Sequence, residues 1–298
     1  MFPIIPAASA AESGNQKGIF GYGYSSGYYS VTNLVSNAGV VATDTTGVGT
    51  GRSKLAACEY GGDKGIFGYG TSGGSVSMTN LVSNAGVVAT DVAGVGTARY
   101  GPAACGYGED KGIFGYGYPG PLSMTNLVTN AGVVGTDVTG VGTARGWPGA
   151  CEYGEDKGIF GYGYTAGTNW SVTNLVSNAG VVATDTTGVG TGRYELGACS
   201  YGEDKGIFGY GWSYPGSANS VSNLVSNVGV VATDVAGVGT ARRAPAACEY
   251  GGDKGIIGFG DSGSLTGITN LVSNAGVVAT DTAGVGTART QLAACSFS

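Results

Sequence analysis

Histidine is absent from the chain, and charge is scarce. Of 298 residues, 14 are Lys or Arg and 20 are Asp or Glu, 11% in all, against ~25% in an ordinary soluble domain. Without His, and with few acids outside a repeated pattern, most hydrolase, zinc and haem sites are excluded. A net charge of −6 and a pI near 4.6 argue against nucleic acid, which calls for a basic face. No uninterrupted apolar run reaches the ~18 residues of a membrane helix. The 60 glycines do not fall at every third position, which excludes collagen. With 42% hydrophobic residues, the chain has too much apolar surface to stay disordered. What remains is an all-β repeat protein.

The repeat is explicit. K-G-I-F-G-Y-G recurs with Lys at 17, 64, 111, 157, 205 and 254, the last copy reading K-G-I-I-G-F-G. The steps are 47, 47, 46, 48 and 49 residues. Asn33, Asn80, Asn126, Asn174, Asn223 and Asn270 each precede an Asp by 11, and that Asp precedes an Arg by 8. Only the Lys-to-Asn distance varies, from 15 to 18, so every insertion falls in one loop.

Four extended segments are readable per repeat: Leu55–Tyr60, Ile66–Tyr69, Met78–Asn84 and Val87–Asp91 in the second copy. Their β-branched and aromatic content favours strands, and Ser-Asn-Ala-Gly supplies a tight turn between the last two. Four short strands every 40–50 residues predict a six-bladed β-propeller of four-stranded blades over residues 17–298. Leu292–Phe297 has no later partners, and the blade beginning at Lys17 has no strand before it. The C-terminal strand is therefore expected to complete the first blade and close the ring, leaving no free edge.

The R-x-x-L-A-A-C stretch from Arg289 to Cys295 and the G-Y-G at 68–70 resemble Kelch-type propellers. In those, an Arg precedes the first strand, glycines end the second and an acid follows the third. The G-Y-G stands where Kelch repeats carry a double glycine. The GIFGYG array is also similar to uncharacterised proteins of phages and environmental genomes. These resemblances imply a propeller with a binding or structural role and no cofactor.

Several features invite chemistry and receive a structural reading. Cys58, Cys105, Cys151, Cys199, Cys248 and Cys295 occur once per repeat. Equivalent positions in stacked sheets lie ~10 Å apart, beyond the ~7 Å Cα limit of a disulfide, so small buried hydrophobes are expected. The Asn, Asp and Arg series is expected to tie loops together, because scarce charges in fixed register are usually buried and partnered. Six identical pairs do not make one acid–base constellation. The G-x-G-x-x-G match at Gly65–Gly70 is followed by no helix, so it is no phosphate cradle. Asn169-Trp170-Ser171 is a sequon by chance.

The repeats differ in two places, the loop after G-Y-G and the two residues after each Arg. Both are expected on one face of the propeller, with the invariant turns on the other. The variable face carries Tyr28, Tyr29, Tyr118, Trp147, Tyr164, Trp170, Trp212 and Tyr214, the aromatic composition of a recognition surface. Glu195 and Asp261 are the only acids in these loops that could serve a glycosidase. The segment before residue 17 lacks the basic region of a secretion signal. It reads as an extended arm anchored by Phe2, Ile4 and Ile5, which would order only by docking on the propeller, a second copy or a larger assembly. The expected function is a non-enzymatic virion component of a phage, attached to other proteins through this arm or the constant face. The variable face would meet the host surface. The alternative is a free lectin-like module, secreted or on a cell surface, binding a glycan. No metal, nucleic acid or membrane insertion is expected.

Overall fold

A computed structural model describes residues 16–298. The arm residues Phe2, Ile4 and Ile5 lie outside the described residues. Strands β1 (Lys17–Tyr24) and β2 (Tyr28–Val35) form an antiparallel hairpin. Five complete sheets follow, each with its second strand in the middle. They are β3 (Ala56–Tyr60), β4 (Lys64–Gly68) and β5 (Thr79–Val82), then β6 (Ala103–Tyr107), β7 (Lys111–Gly117) and β8 (Leu122–Val128). Next come β9 (Gly149–Tyr153), β10 (Lys157–Thr165) and β11 (Thr168–Val176), then β12 (Gly197–Tyr201), β13 (Lys205–Trp212) and β14 (Ala218–Val225). The last are β15 (Ala246–Tyr250), β16 (Lys254–Asp261) and β17 (Leu265–Val272). Finally β18 (Ala293–Phe297) returns to pair with β1, Ile19 facing Cys295 and Lys17 facing Phe297. The result is six three-stranded antiparallel sheets and, among the described residues, no helix.

The first strands β3, β6, β9, β12, β15 and β18 touch in succession, and β18 touches β3. The array is thus cyclic, and the C-terminal strand supplies the missing member of the first sheet as the sequence predicts.

The expected fourth strand is not one. Val87–Asp91 meets β5 only through isolated bridges, Val82 with Val88 and Thr79 with Val92. The outer segment spends four steps between these bridges and β5 spends three, so one residue is surplus and no regular ladder can form. The Asn80 carboxamide fills the gap, donating to the Ala89 carbonyl at 3.0 Å. The same bridges recur in the other five repeats.

The repeat sequence becomes legible as inter-sheet packing. The Gly after each Lys receives the Cys Sγ of the preceding sheet: a Cβ on Gly112 would stand 2.6 Å from Cys58 Sγ. In the other direction, the next sheet's Phe covers the second Gly of K-G-I-F-G, with Phe114 at 2.7 Å from a Cβ on Gly68. Knob and hole alternate around the ring, and all six thiols are free and buried, with burial pushing each well above the ordinary thiol pKa. Gly112→Ala should therefore cost about 1–3 kcal/mol by overpacking. Cys58→Ala in the same chain should recover part of that loss. Urea unfolding of the single and double variants measures both, and an additive pair would contradict this packing.

Each buried Arg joins two successive repeats into one node. Arg193 lies over the Tyr162 ring at 4.3 Å. Its Nε donates to Tyr210 O at 2.8 Å, its Nη1 to Thr191 O at 3.1 Å and its Nη2 to Asn223 Oδ1 at 2.8 Å. Asn223 in turn donates to Asp234 at 2.9 Å, and Asp234 accepts from the Thr191 hydroxyl and N–H. The same Arg-to-Asn bond forms from Arg99, Arg145, Arg242 and Arg289. The last node crosses the seam, joining Thr287 and Arg289 to Asp44, Asn33 and Tyr22. The structural reading of the Asn–Asp–Arg series holds in this geometry.

Candidate functional site

The two variable segments of each repeat meet. Antiparallel bridges join Tyr24 to Thr290, Ser53 to Thr71, Tyr100 to Tyr118, Gly146 to Tyr164, Tyr194 to Trp212 and Arg243 to Asp261. Each pairs the residue after the buried Arg with the start of the hairpin tip. Insertions and substitutions therefore gather on one side of the array.

The next residue in each repeat turns into the left-handed region. Lys54, Gly101, Trp147, Glu195, Ala244 and Gln291 have φ between 48° and 63°. Their amides form a closed circle. Lys54 N donates to Gln291 O, Gly101 to Lys54, Trp147 to Gly101, Glu195 to Trp147, Ala244 to Glu195 and Gln291 to Ala244, at 2.7–3.2 Å. This collar of six hydrogen bonds rings the axis, and each of its six donors lies in the left-handed region. A non-Gly residue there costs on the order of 1 kcal/mol. Five of the six positions accept that cost and carry unlike side chains. The collar thus gives a regular ring an irregular mouth.

Aromatic rings cover one side of it. Trp147 stacks on Tyr118 with centroids 4.7 Å apart and planes at 27°. Tyr100 and Tyr194 flank the indole at 6.0 and 5.9 Å. Tyr164 packs on Tyr194 at 4.9 Å, and Tyr214 stands edge-on to Tyr164 at 6.1 Å, 52% exposed. The structure therefore unites four of the eight sequence-predicted aromatics, Tyr118, Trp147, Tyr164 and Tyr214. The others stand apart from this cluster. Tyr28 meets Tyr24 edge-on at 5.5 Å. Tyr29 is half-buried, its hydroxyl 3.2 Å from Ser26 Oγ. Trp212 lies under the Arg243 guanidinium at 5.0 Å. Trp170 pairs with Gly163 across the hairpin. Its neighbour Asn169, the sequon residue, donates its carboxamide to Tyr214 O.

Polar groups occupy the other side. Arg243 grips Asp261 through Nη2 at 2.8 Å and Nε at 3.1 Å, which holds that carboxyl below its usual range although burial works against it. Burial pushes the Glu195 carboxyl up, while the Arg243 and Lys54 charges and a hydrogen bond from Gln291 pull the other way. A cavity of about 80 Å3 sits in the collar, and another of about 460 Å3 lies beside it; Lys54 and Gln291 line both. This arrangement can stack planar or ring-shaped ligands and offer them mixed charges and amides. Sequence reasoning missed Tyr100, Tyr194, Lys54 and Gln291 as site residues. Their variability after each Arg was the available signal.

Below the collar the axis narrows to the cysteine ring. The residues after each Cys read Glu59, Gly106, Glu152, Ser200, Glu249 and Ser296, so a carboxylate alternates with a small residue around the channel. The Glu152 carboxylate leans over Gly106, where a Cβ would collide with it. Burial pushes Glu152 and Glu249 well above the carboxylate range, and repulsion from Glu59 adds to it. Their protonated forms favour the fold. That contribution is full below the unfolded Glu value of ~4.3 and lost as pH rises through the folded values. The six network aspartates behave oppositely. Burial alone would raise them, yet hydrogen bonds such as those from Thr287 and Asn33 to Asp44 hold them low. Their contribution is present above ~3.9 and lost as pH falls. Thermal stability should peak near pH ~4–5 and decline on both sides. Glu152→Gln with Glu249→Gln should flatten the alkaline limb, as differential scanning calorimetry across pH 3–9 would show; an unchanged limb would contradict this assignment.

No protein-family model matches the chain and no curated protein matches it, so the likeness to Kelch-type repeats rests on the repeat pattern alone.

Proposed function

We propose that the chain is a six-bladed β-propeller that acts as a non-enzymatic recognition module, binding through its variable loop face. The observation that carries this is the collar, which holds five non-Gly residues in strained backbone and sets them beside the Tyr118–Trp147–Tyr164 cluster. Positive φ also recurs at Tyr22, Tyr69, Tyr116, Tyr162, Tyr210 and Phe259, where the side chain hardly changes; the collar instead carries a different side chain in each repeat, which favours a role for those side chains in recognition. Clustered, partly exposed aromatics at that locus suit a binding surface. The test is retention of the protein on a panel of immobilised polysaccharides, peptides and lipid vesicles. Binding to at least one surface should fall at least tenfold in Trp147→Ala and persist in Val133→Ser on the opposite side. No binding, or binding lost only with the valine, would overturn the reading.

The constant side supports attachment to a larger assembly. Val40, Val87, Val133, Val181, Val230 and Val277, one in each invariant turn, are 61–65% exposed, an apolar stud repeated six times. Together with the arm at Phe2, Ile4 and Ile5, these would seat the propeller on a particle such as a virion. Density-gradient sedimentation from the native source should then recover it with megadalton material; a free 29 kDa species would speak for the lectin-like alternative.

A further inference from the structure

We infer that the cavity beside the collar is a saccharide site, holding one or two pyranose units between the Tyr24–Tyr28 pair and the Arg243–Asp261 ion pair. The inference rests on the recognition reading above and names its ligand class.

The cavity measures about 460 Å3, within the ~300–1,000 Å3 of small-molecule sites. Such sites are usually lined mainly by apolar side chains, and this one is not. Of eleven lining residues, only Leu265 lacks a hydrogen-bonding side chain. An apolar ligand would leave these groups without partners, at a cost of about 1–3 kcal/mol each where they are desolvated. A polyhydroxylated ligand would satisfy them. Two tyrosines give the lining its apolar faces: Tyr24 is 40% exposed and Tyr28 42%, held edge-to-face at 5.5 Å. A pyranose presents the matching surface, an axial C–H face for a ring and a belt of hydroxyls for donors and acceptors.

The Arg243–Asp261 pair also fits a neutral sugar. Arg243 and Asp261 already neutralise each other at 2.8 Å. They keep donor and acceptor atoms fixed at the wall without a net charge that would demand a counter-ion. Charged–neutral hydrogen bonds of this kind are the stronger ones. Lys54 and Gln291 stand at the inner end, where this cavity meets the collar, so a second unit could run toward the axis.

The position is also singular in the ring. The cavity is built where the first, second and last repeats adjoin, from Tyr24, Lys54 and Arg243. Tyr24 recurs as Tyr118 and Tyr164, but the positions corresponding to Lys54 and Arg243 hold other residues in every other repeat. One site per chain is the consequence, in contrast to a lectin with a copy in every blade.

Saturation-transfer NMR with methyl pyranosides and a set of free disaccharides tests this. At least one should show transfer to its ring protons. Tyr28→Ala and Gln291→Gly should each weaken it at least tenfold; glycine keeps the collar's positive φ, so the backbone is spared. Val133→Ser, on the opposite side, should leave it unchanged. Saccharide binding that is lost in Trp147→Ala yet indifferent to Tyr28 and Gln291 would overturn the site while leaving the recognition face intact. No saccharide binding, alongside Trp147-dependent retention on peptides or vesicles, would overturn the ligand class alone. Absence of both would remove the recognition reading itself.

Discussion

A chain ending at Arg289 will fail to fold cooperatively. The segment after Arg289, which ends in β18, places Leu292, Ala293, Ala294, Cys295 and Phe297 in the core, each no more than 9% exposed. It pairs with β1 over five residues and contributes Gln291 to the collar. Losing the large side chains removes about 1.5–3 kcal/mol each, and the β1 edge is left unpaired. The sum is of the order of a whole domain's stability, ~5–15 kcal/mol. Circular dichroism with thermal melting should show a broad, low transition or none. Adding a peptide of residues 290–298 in trans should restore a cooperative melt. A truncated protein with an unchanged melting temperature would contradict the seam.

The second large effect is at the buried arginines. Arg193→Ala should cost about 3–5 kcal/mol, because it leaves the Asn223 side-chain carbonyl and the Tyr210, Thr191 and Phe208 backbone carbonyls without their common donor and takes the nearby cation away from Asp234. Asn223→Ala removes the bridge between that guanidinium and the carboxylate. The two residues form one node, so the double variant should cost little more than Arg193→Ala alone. Urea denaturation of the four proteins gives the coupling. Strict additivity would mean that the two side chains act apart. At the seam, burial pulls the Arg289 guanidinium down to about 10, and Asp44 opposes this from 3.9 Å. That geometry belongs to a structural ion held by hydrogen bonds rather than to a displaceable one.

Much of this architecture could be read in the chain before its coordinates. The Lys-to-Lys steps give six units, and the variable Lys-to-Asn distance marks the one loop that changes length. The alternation of Gly with Ile, Phe and Tyr shows where strands run. Two features escaped. Val87–Asp91 has strand-like composition, but its extra residue relative to β5 is a matter of pairing, visible only once Asn80 is seen to occupy the Ala89 carbonyl. The collar escaped because its bonds join residues 46 to 49 apart in neighbouring repeats, and 237 apart at the seam from Lys54 to Gln291. Nothing local to Lys54, Trp147 or Glu195 announces a positive φ, since these residues rarely adopt it. The site followed the same division. Loop variability identified the face and four of the six rings in its aromatic cluster. Tyr100 and Tyr194 joined the cluster only through contact with rings from the adjoining hairpins.

The central claim is that a closed ring of six sheets sets six unlike residues around one mouth. The most direct measurement is native-state hydrogen exchange by NMR on the amides of Lys54, Gly101, Trp147, Glu195, Ala244 and Gln291. Lys54, Trp147, Glu195 and Gln291 are only half-buried, so protection there requires the collar bonds themselves. The account predicts slow exchange at all six, with Lys54 and Gln291 at the seam as protected as Trp147 opposite. Fast exchange at Lys54 and Gln291 beside slow exchange at the others would show an open array and contradict it.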